Sequence, residues 1–299
     1  MIDQAHSLRT LAASVSESDR LDALLYEDAV RITTRKCTAV TVASGKGGVG
    51  KTNISINLAI MLSKLGKNVT LFDADLGLAN INILLGIHPS FTLQDVTEGR
   101  AKIGDVAMRG PGGITIVPGG SGVESLANID AGSLKRLMRE LTVLESSCDF
   151  LIFDTQAGIA HTVKAFAASS DRQIVVVTPE PSSLADAYAA LKMMAFSGCT
   201  KIGIVANMVR DDADGVEVFN RLAGLAKRFL GKEPEFLGSL PRDPKVSASV
   251  IRQTPITIAH PEAPFSKSMH RIALKFVGQN SIMKRESVFG KLASIFRKA

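Results

Sequence analysis

Residues 45–52 read Gly45-Lys46-Gly47-Gly48-Val49-Gly50-Lys51-Thr52, a set of types and spacings suited to holding phosphate. Glycines allow successive backbone N–H groups to turn inward around anionic oxygens, and a helix opening at the end of the loop adds positive potential. In the pattern G-x-x-x-x-G-K-[ST], Lys51 reaches the β- and γ-phosphates of a nucleoside triphosphate and the Thr52 hydroxyl binds Mg²⁺. Lys46 is a second cation that this pattern does not require. Two further segments bring carboxylates to strand ends. Val69–Phe72 runs into Asp73-Ala74-Asp75, and Phe150–Phe153 runs into Asp154-Thr155-Gln156-Ala157-Gly158. Carboxylates one residue apart at a strand end can serve one site without being adjacent.

These groups must be positioned by the elements around them. Ala39–Ser44 reads as a strand directly before the loop, and Ile54, Leu58, Leu62 and Leu65 mark one face of a helix ended by Gly66. Further strands are expected at Val69–Phe72, Ile114–Val117, Phe150–Phe153, Ile174–Val177, Ile202–Val205 and Phe236–Gly238, with helices such as Ser183–Phe196 and Val216–Leu230 between them. The strands are near-continuously apolar, as when helices cover both faces of a sheet. The fold class is therefore α/β, a doubly wound, mostly parallel sheet of about seven or eight strands. The chain divides into an N-terminal arm and linker (1–36), an ATPase-type domain (37–279) and a C-terminal helix (280–299).

Composition sets limits. A hydrophobic fraction of 45% and a charged fraction of 21% are ordinary for a globular chain. No apolar run approaches the ~20 residues of a membrane span, and no signal peptide is evident, so a cytoplasmic protein is expected. Cys37, Cys148 and Cys199 form no CxxC pair, which argues against a zinc site or a disulfide framework. The net charge is +6, and +4 of it lies in the last twenty residues, where Lys284, Arg285, Lys291, Arg297 and Lys298 face Glu286 alone. Within that tail Val288, Phe289, Leu292, Ile295 and Phe296 share one helical face flanked by basic residues, the pattern of a helix lying in a membrane surface. A last helix packed on the domain shows the same pattern, and the two states can alternate. The charge points to an anionic surface met by the tail, and it leaves a DNA-binding patch on the folded body open.

The string Lys46-Gly47-Gly48-Val49-Gly50-Lys51-Thr52 strongly resembles the MinD/ParA family of deviant P-loop ATPases. The resemblance implies ATP and Mg²⁺ as cofactors and a homodimer in which Lys46 crosses the interface to the partner's nucleotide. It implies that Asp75 orients the attacking water, that Asp73 supports Mg²⁺ and its waters, and that Asp154 holds a magnesium-bound water. Gly158 would allow backbone approach to the γ-phosphate. Asn207 matches the adenine-contacting asparagine, since an amide offers both donor and acceptor to a base edge. Pro241-Arg242-Asp243 matches the second base-contacting loop. Asn82 and Gln156 depart from residues that relatives often carry.

The N-terminal Asp3-Gln4-Ala5-His6-Ser7-Leu8-Arg9, together with Asp73–Asn80 and Val117–Gly122, resembles the FlhG (FleN) family of flagellar-number regulators. There the arm, here Asp3, Gln4, Leu8 and Arg9, stimulates the flagellar GTPase FlhF. This resemblance implies FlhF, a flagellar transcription activator and C-ring proteins as partners, at the inner face of the cell membrane and at a cell pole. The competing expectations are a MinD-type division-site regulator and a ParA-type DNA-partition ATPase.

Overall fold

The apolar runs form a single eight-stranded sheet: β1 (Thr38–Ala43), β2 (Val69–Ala74), β3 (Met108–Arg109), β4 (Thr115–Val117), β5 (Phe150–Thr155), β6 (Arg172–Val177), β7 (Ile202–Val209) and β8 (Glu235–Pro241). Their order is β3-β4-β2-β5-β1-β6-β7-β8, parallel throughout except for the β3–β4 pair. The computed structural model describes residues 37–75, 80–119, 131–197, 201–278 and 287–297. The expected arm residues Asp3, Gln4, Leu8 and Arg9 lie outside these, as do Cys199 and the tail charges Lys284, Arg285 and Lys298. The two-residue strand β3 was not expected; two residues give too little pattern to read.

Twelve helices are described: α1 (Lys51–Lys64), α2 (Ile81–Leu85), α3 (Leu93–Thr97), α4 (Ile103–Val106), α5 (Ala131–Ser147), α6 (His161–Ser169), α7 (Pro181–Ala195), α8 (Asp212–Leu230), α9 (Pro244–Ile251), α10 (Ile256–Ala259), α11 (Pro264–Val277) and α12 (Val288–Arg297). The period-two geometry of a strand sends alternate residues to opposite layers. Val40, Val42, Leu71 and Ile152 pack with α1 and α11. Ala39, Phe72, Leu151 and Phe153 pack with α5, α6 and α12. The expected stripe on α1 proves too narrow, because Ile56, Ala59, Ile60 and Met61 are buried as well. The sheet covers one side of α1, and α11 with the turn at Pro111–Gly113 covers others.

The C-terminal helix forms where its periodicity places it, but its apolar stripe is part of the core. Val288, Phe289 and Leu292 are buried, and Ile295 is half-buried against the same cluster. Phe296 lies within the helix, and its side chain is outside the described set. The Phe289 ring stands 5.9 Å from both Phe72 and Phe153. Glu145, near the end of α5, anchors the start of α12: its Oε1 accepts from the Phe289 N–H (2.9 Å) and from Ser287 Oγ (3.1 Å). The stripe that suits lipid therefore also suits the groove between α5 and α6. Among the described residues no helix is long and apolar enough to cross a membrane. Phe289→Ala should cost ~3 kcal/mol in denaturant unfolding of the nucleotide-free chain, the usual loss for a fully buried ring. A loss well below this would mean that α12 detaches on its own before the domain unfolds.

Candidate nucleotide site

β1 lies between β5 and β6, where the chain winds away to opposite sides of the sheet, so a crevice opens at its C-terminal end. The phosphate loop fills that position and passes directly into α1. Gly50 precedes the helix with φ +86, and a side chain there would also meet Asn207 Nδ2 at 2.6 Å. A Cβ on Gly45 would sit 1.9 Å from the Asp186 carbonyl oxygen, so α7 is packed directly against the loop backbone. Close approach fixes the glycine at 45, and close approach with a left-handed backbone fixes it at 50.

Beneath the loop, neighbouring strands place two carboxylates side by side, with Asp73 and Asp154 in register on β2 and β5. Both are fully buried. Asp154 Oδ1 accepts from Lys51 Nζ (2.9 Å) and Ser55 Oγ (2.9 Å). Its Oδ2 is buried with no hydrogen-bond partner among the described residues. Ser55 carried no recognisable motif; its place four residues after Lys51, on the same helical face, is the signal that could have found it. Asp73 is held by backbone donors instead. Oδ1 accepts from the Asp75 N–H (3.1 Å), and Oδ2 from the N–H groups of Asn80 (3.0 Å) and Ile81 (3.1 Å), the first residues of α2. Burial, and to a lesser degree the charge of Asp154, push its pKa up to about 7 despite these bonds.

Above this floor opens a cleft of about 1090 Å³. Its lining brings together Lys46, Gly47–Thr52, Asp75, Asn207, Pro241, Arg242 and Asp243. Asp73 and Asp154 lie under the floor rather than on the wall. Asp75 Oδ2 accepts from Asn80 Nδ2 (3.1 Å). Asn207 Nδ2 donates to the Val49 carbonyl (2.7 Å), so that nitrogen braces the loop. The Gly158 N–H donates to the Ser44 carbonyl (2.8 Å), and Gln156 Nε2 to Thr162 Oγ1 (2.9 Å). Asn82 Oδ1 is buried with no hydrogen-bond partner among the described residues. The two lysines of the loop differ in setting. Lys51 is buried on Asp154, whereas Lys46 is exposed and bonds Glu180 Oε2 and Ser182 Oγ, both at 2.9 Å.

This arrangement fits a metal–triphosphate. Mg²⁺ keeps several waters and takes one or two carboxylates plus substrate phosphates, and the vacant lone pairs of Asp154 Oδ2 are placed to accept from such a water. The half-buried Thr52 follows Lys51 at the start of α1, where its hydroxyl is the expected direct ligand. The Asp73 carboxyl gives a test. Because its folded pKa lies above its unfolded value, it adds stability that is complete below about pH 4 and is lost as pH rises through about 7. Carboxyl ¹³C NMR of the metal-free chain should show Asp73 titrating near 7, with Mg²⁺-nucleotide drawing the midpoint down. A midpoint in the ordinary carboxylate range without metal would refute this account of its burial.

Comparisons with known proteins agree with the geometry. Residues 36–277 match the ParA family model, described as an NUBPL iron-transfer P-loop NTPase. The antiactivator FleN of Pseudomonas aeruginosa is 39% identical over 237 residues, 79% of this chain and 85% of that protein. The flagellum site-determining protein YlxH of Helicobacter pylori is 36% identical over 236 residues, 78% of this chain and 80% of its own. Among solved structures, the cell division ATPase MinD of Pyrococcus furiosus superposes with a TM-score of 0.64 at 26% identity, covering 81% of this chain and 98% of that one. The chain belongs to the MinD/ParA family of P-loop ATPases, with the antiactivator FleN and the flagellum site-determining protein YlxH among its relatives.

Proposed function

We propose that this ATPase is a dimerising switch that regulates flagellum number and placement. Two chains close face to face on two ATP molecules, and each Lys46 reaches the triphosphate held by the other. The observation carrying this reading is the division of labour between the two lysines. Lys51 is buried beside Asp154 and serves its own site, whereas Lys46 is exposed where a second chain can meet it. Exposed pairs like Lys46–Glu180 are worth only ~0–1 kcal/mol, so exchanging Glu180 for a triphosphate meets little resistance. When bound, Mg²⁺ offsets charge on the phosphates, and Lys46 and Lys51 add to that as the phosphates separate. Asp75 at the cleft wall orients the attacking water. Hydrolysis is slow and resets the pair to single chains.

The tail is the output. Docked α12 hides its apolar stripe in the nucleotide-free chain, and the ATP dimer presents two such helices to the inner face of the membrane. A pair of weak anchors binds far better than one through effective concentration. The likeness to FleN and YlxH supports the flagellar assignment, with the arm residues Asp3, Gln4, Leu8 and Arg9 acting on FlhF. A flagellar transcription activator and C-ring proteins are the further partners. Iron transfer is not carried over, because Cys37 and Cys148 are buried in the core. A hydrogen bond with Cys37, and burial, also push the Cys148 thiol well above its ordinary pKa.

Asp75→Ala should bind ATP, hydrolyse it at least tenfold more slowly and sediment as a dimer with Mg²⁺-ATP. Single chains only, in ultracentrifugation at saturating nucleotide, would end the sandwich reading. Lys51→Ala should lose ATP binding altogether in calorimetry. Removing residues 284–299 should abolish ATP-dependent flotation with anionic liposomes, and retained flotation would leave α12 a purely structural helix. Loss of the gene should raise the number of flagella per cell, whereas minicells or lost plasmids would favour the division-site or partition readings.

A further inference from the structure

The short helix α2 is held at both ends by groups from different parts of the nucleotide cleft. At its start, the Asn80 and Ile81 N–H groups bond Asp73, and the Asn80 side chain bonds Asp75. At its end, Gln253 Nε2 donates to the Ile83 carbonyl at 2.8 Å. Gln253 follows α9, the helix that begins immediately after Pro241-Arg242-Asp243 and whose residues Val246, Ser247, Val250 and Ile251 form one wall of the cleft. Ile83 and Leu84 of α2 line the same cleft.

Two features place the Gln253 side chain against α2. Gln253 has φ +51, the left-handed position that ends α9, where its own N–H bonds the Val250 carbonyl and the Thr254 N–H bonds the Ser249 carbonyl, both at 3.0 Å. Gly86, which ends α2 with φ +62, leaves room for the glutamine: a Cβ there would lie 2.5 Å from Gln253 Oε1 and 3.0 Å from its Cδ. A side chain that bridges two short elements of the cleft wall beside a reactive site is grounds for assigning it a task. We infer that Gln253 is a positioning residue for hydrolysis, tying the helix that follows the base-side loop to α2 and thereby fixing Asn80 against Asp75.

The physical route is short. A five-residue helix is too brief to hold its own orientation, since isolated helices of fewer than ~12 residues are marginal in water. Its axis is therefore set by its end contacts. With the Ile83 carbonyl released, α2 is free to pivot about the Asp73 anchor, and the Asn80 amide moves relative to the Asp75 carboxylate. A displacement of this kind costs rate rather than affinity, because the phosphate loop, Lys51 and Asn207 are untouched. The same tie lets movement of α9 reach Asp75.

The inference rests on the reading of Asp75 as the water-orienting group, so the test carries one measurement independent of hydrolysis. Gln253→Gly removes the amide and relieves the left-handed backbone, so the fold is safe. Gln253→Glu keeps the shape and removes the donor. In the nucleotide-free chain both variants should exchange the amide hydrogens of Leu84–Ile87 about fivefold faster than the parent, the loss of one ~1 kcal/mol hydrogen bond. In ATPase assays both should lower kcat about tenfold or more, with KM and the melting temperature close to the parent's. Unchanged exchange in both variants would overturn the tie itself. Faster exchange with an unchanged kcat would overturn the positioning role, as would a raised KM at constant kcat, which belongs to base binding. A parent that binds ATP yet does not turn it over would instead remove the reading of Asp75, leaving the exchange result to decide the tie alone.

Discussion

The structure depends on keeping two carboxylates side by side in the interior of a sheet. Asp73 and Asp154 sit in register on adjacent strands, with water excluded from both. Like charges in such a place repel, and each must be compensated separately. Asp154 has an ammonium group and a hydroxyl, whereas Asp73 has only backbone dipoles and so holds its proton up to near neutrality. A divalent cation with its waters would supply the missing compensation at the floor.

That arrangement sets what the elements around the floor must supply. The donors to Asp73 are not supplied by the sheet but by the first turn of a very short helix, which also carries Asn80 against Asp75. A change in charge at Asp73 is therefore felt at once by α2. The phosphate loop is braced from the other side by Asn207 and by the close packing of α7 at Gly45. One wall is built to stay still, while the other is assembled from pieces with few contacts of their own, as expected of segments that respond to a ligand.

Much of this could be read from the residues. The phosphate loop, the carboxylates at the ends of β2 and β5 and the apolar strands all carry strong local patterns, because backbone geometry at a phosphate loop permits few sequences and a doubly covered sheet needs continuous apolar runs. What escaped was tertiary. Ser55, Glu145, Glu180 and Gln253 are ordinary polar residues in sequence, and each becomes informative only when the fold brings a distant partner to it. The bond from the Asn207 amide nitrogen to the phosphate loop has no signature in the sequence. The tail carries the pattern of an amphipathic helix, and α12 forms over Val288–Arg297. Its periodicity does not distinguish a lipid surface from a protein groove, because both present apolar area to one side.

The docking of Phe289 on Phe72 and Phe153 has an evolutionary corollary. Those two rings immediately precede the paired aspartates in their strands, so the pocket that stows the tail is lined by the same residues that seat the reactive centre. Drift at either phenylalanine would alter how firmly α12 docks together with how well the floor is aligned. A lineage therefore has little freedom to retune that docking from within the pocket, and adjustment falls to the tail itself or to the α5 residue that anchors it.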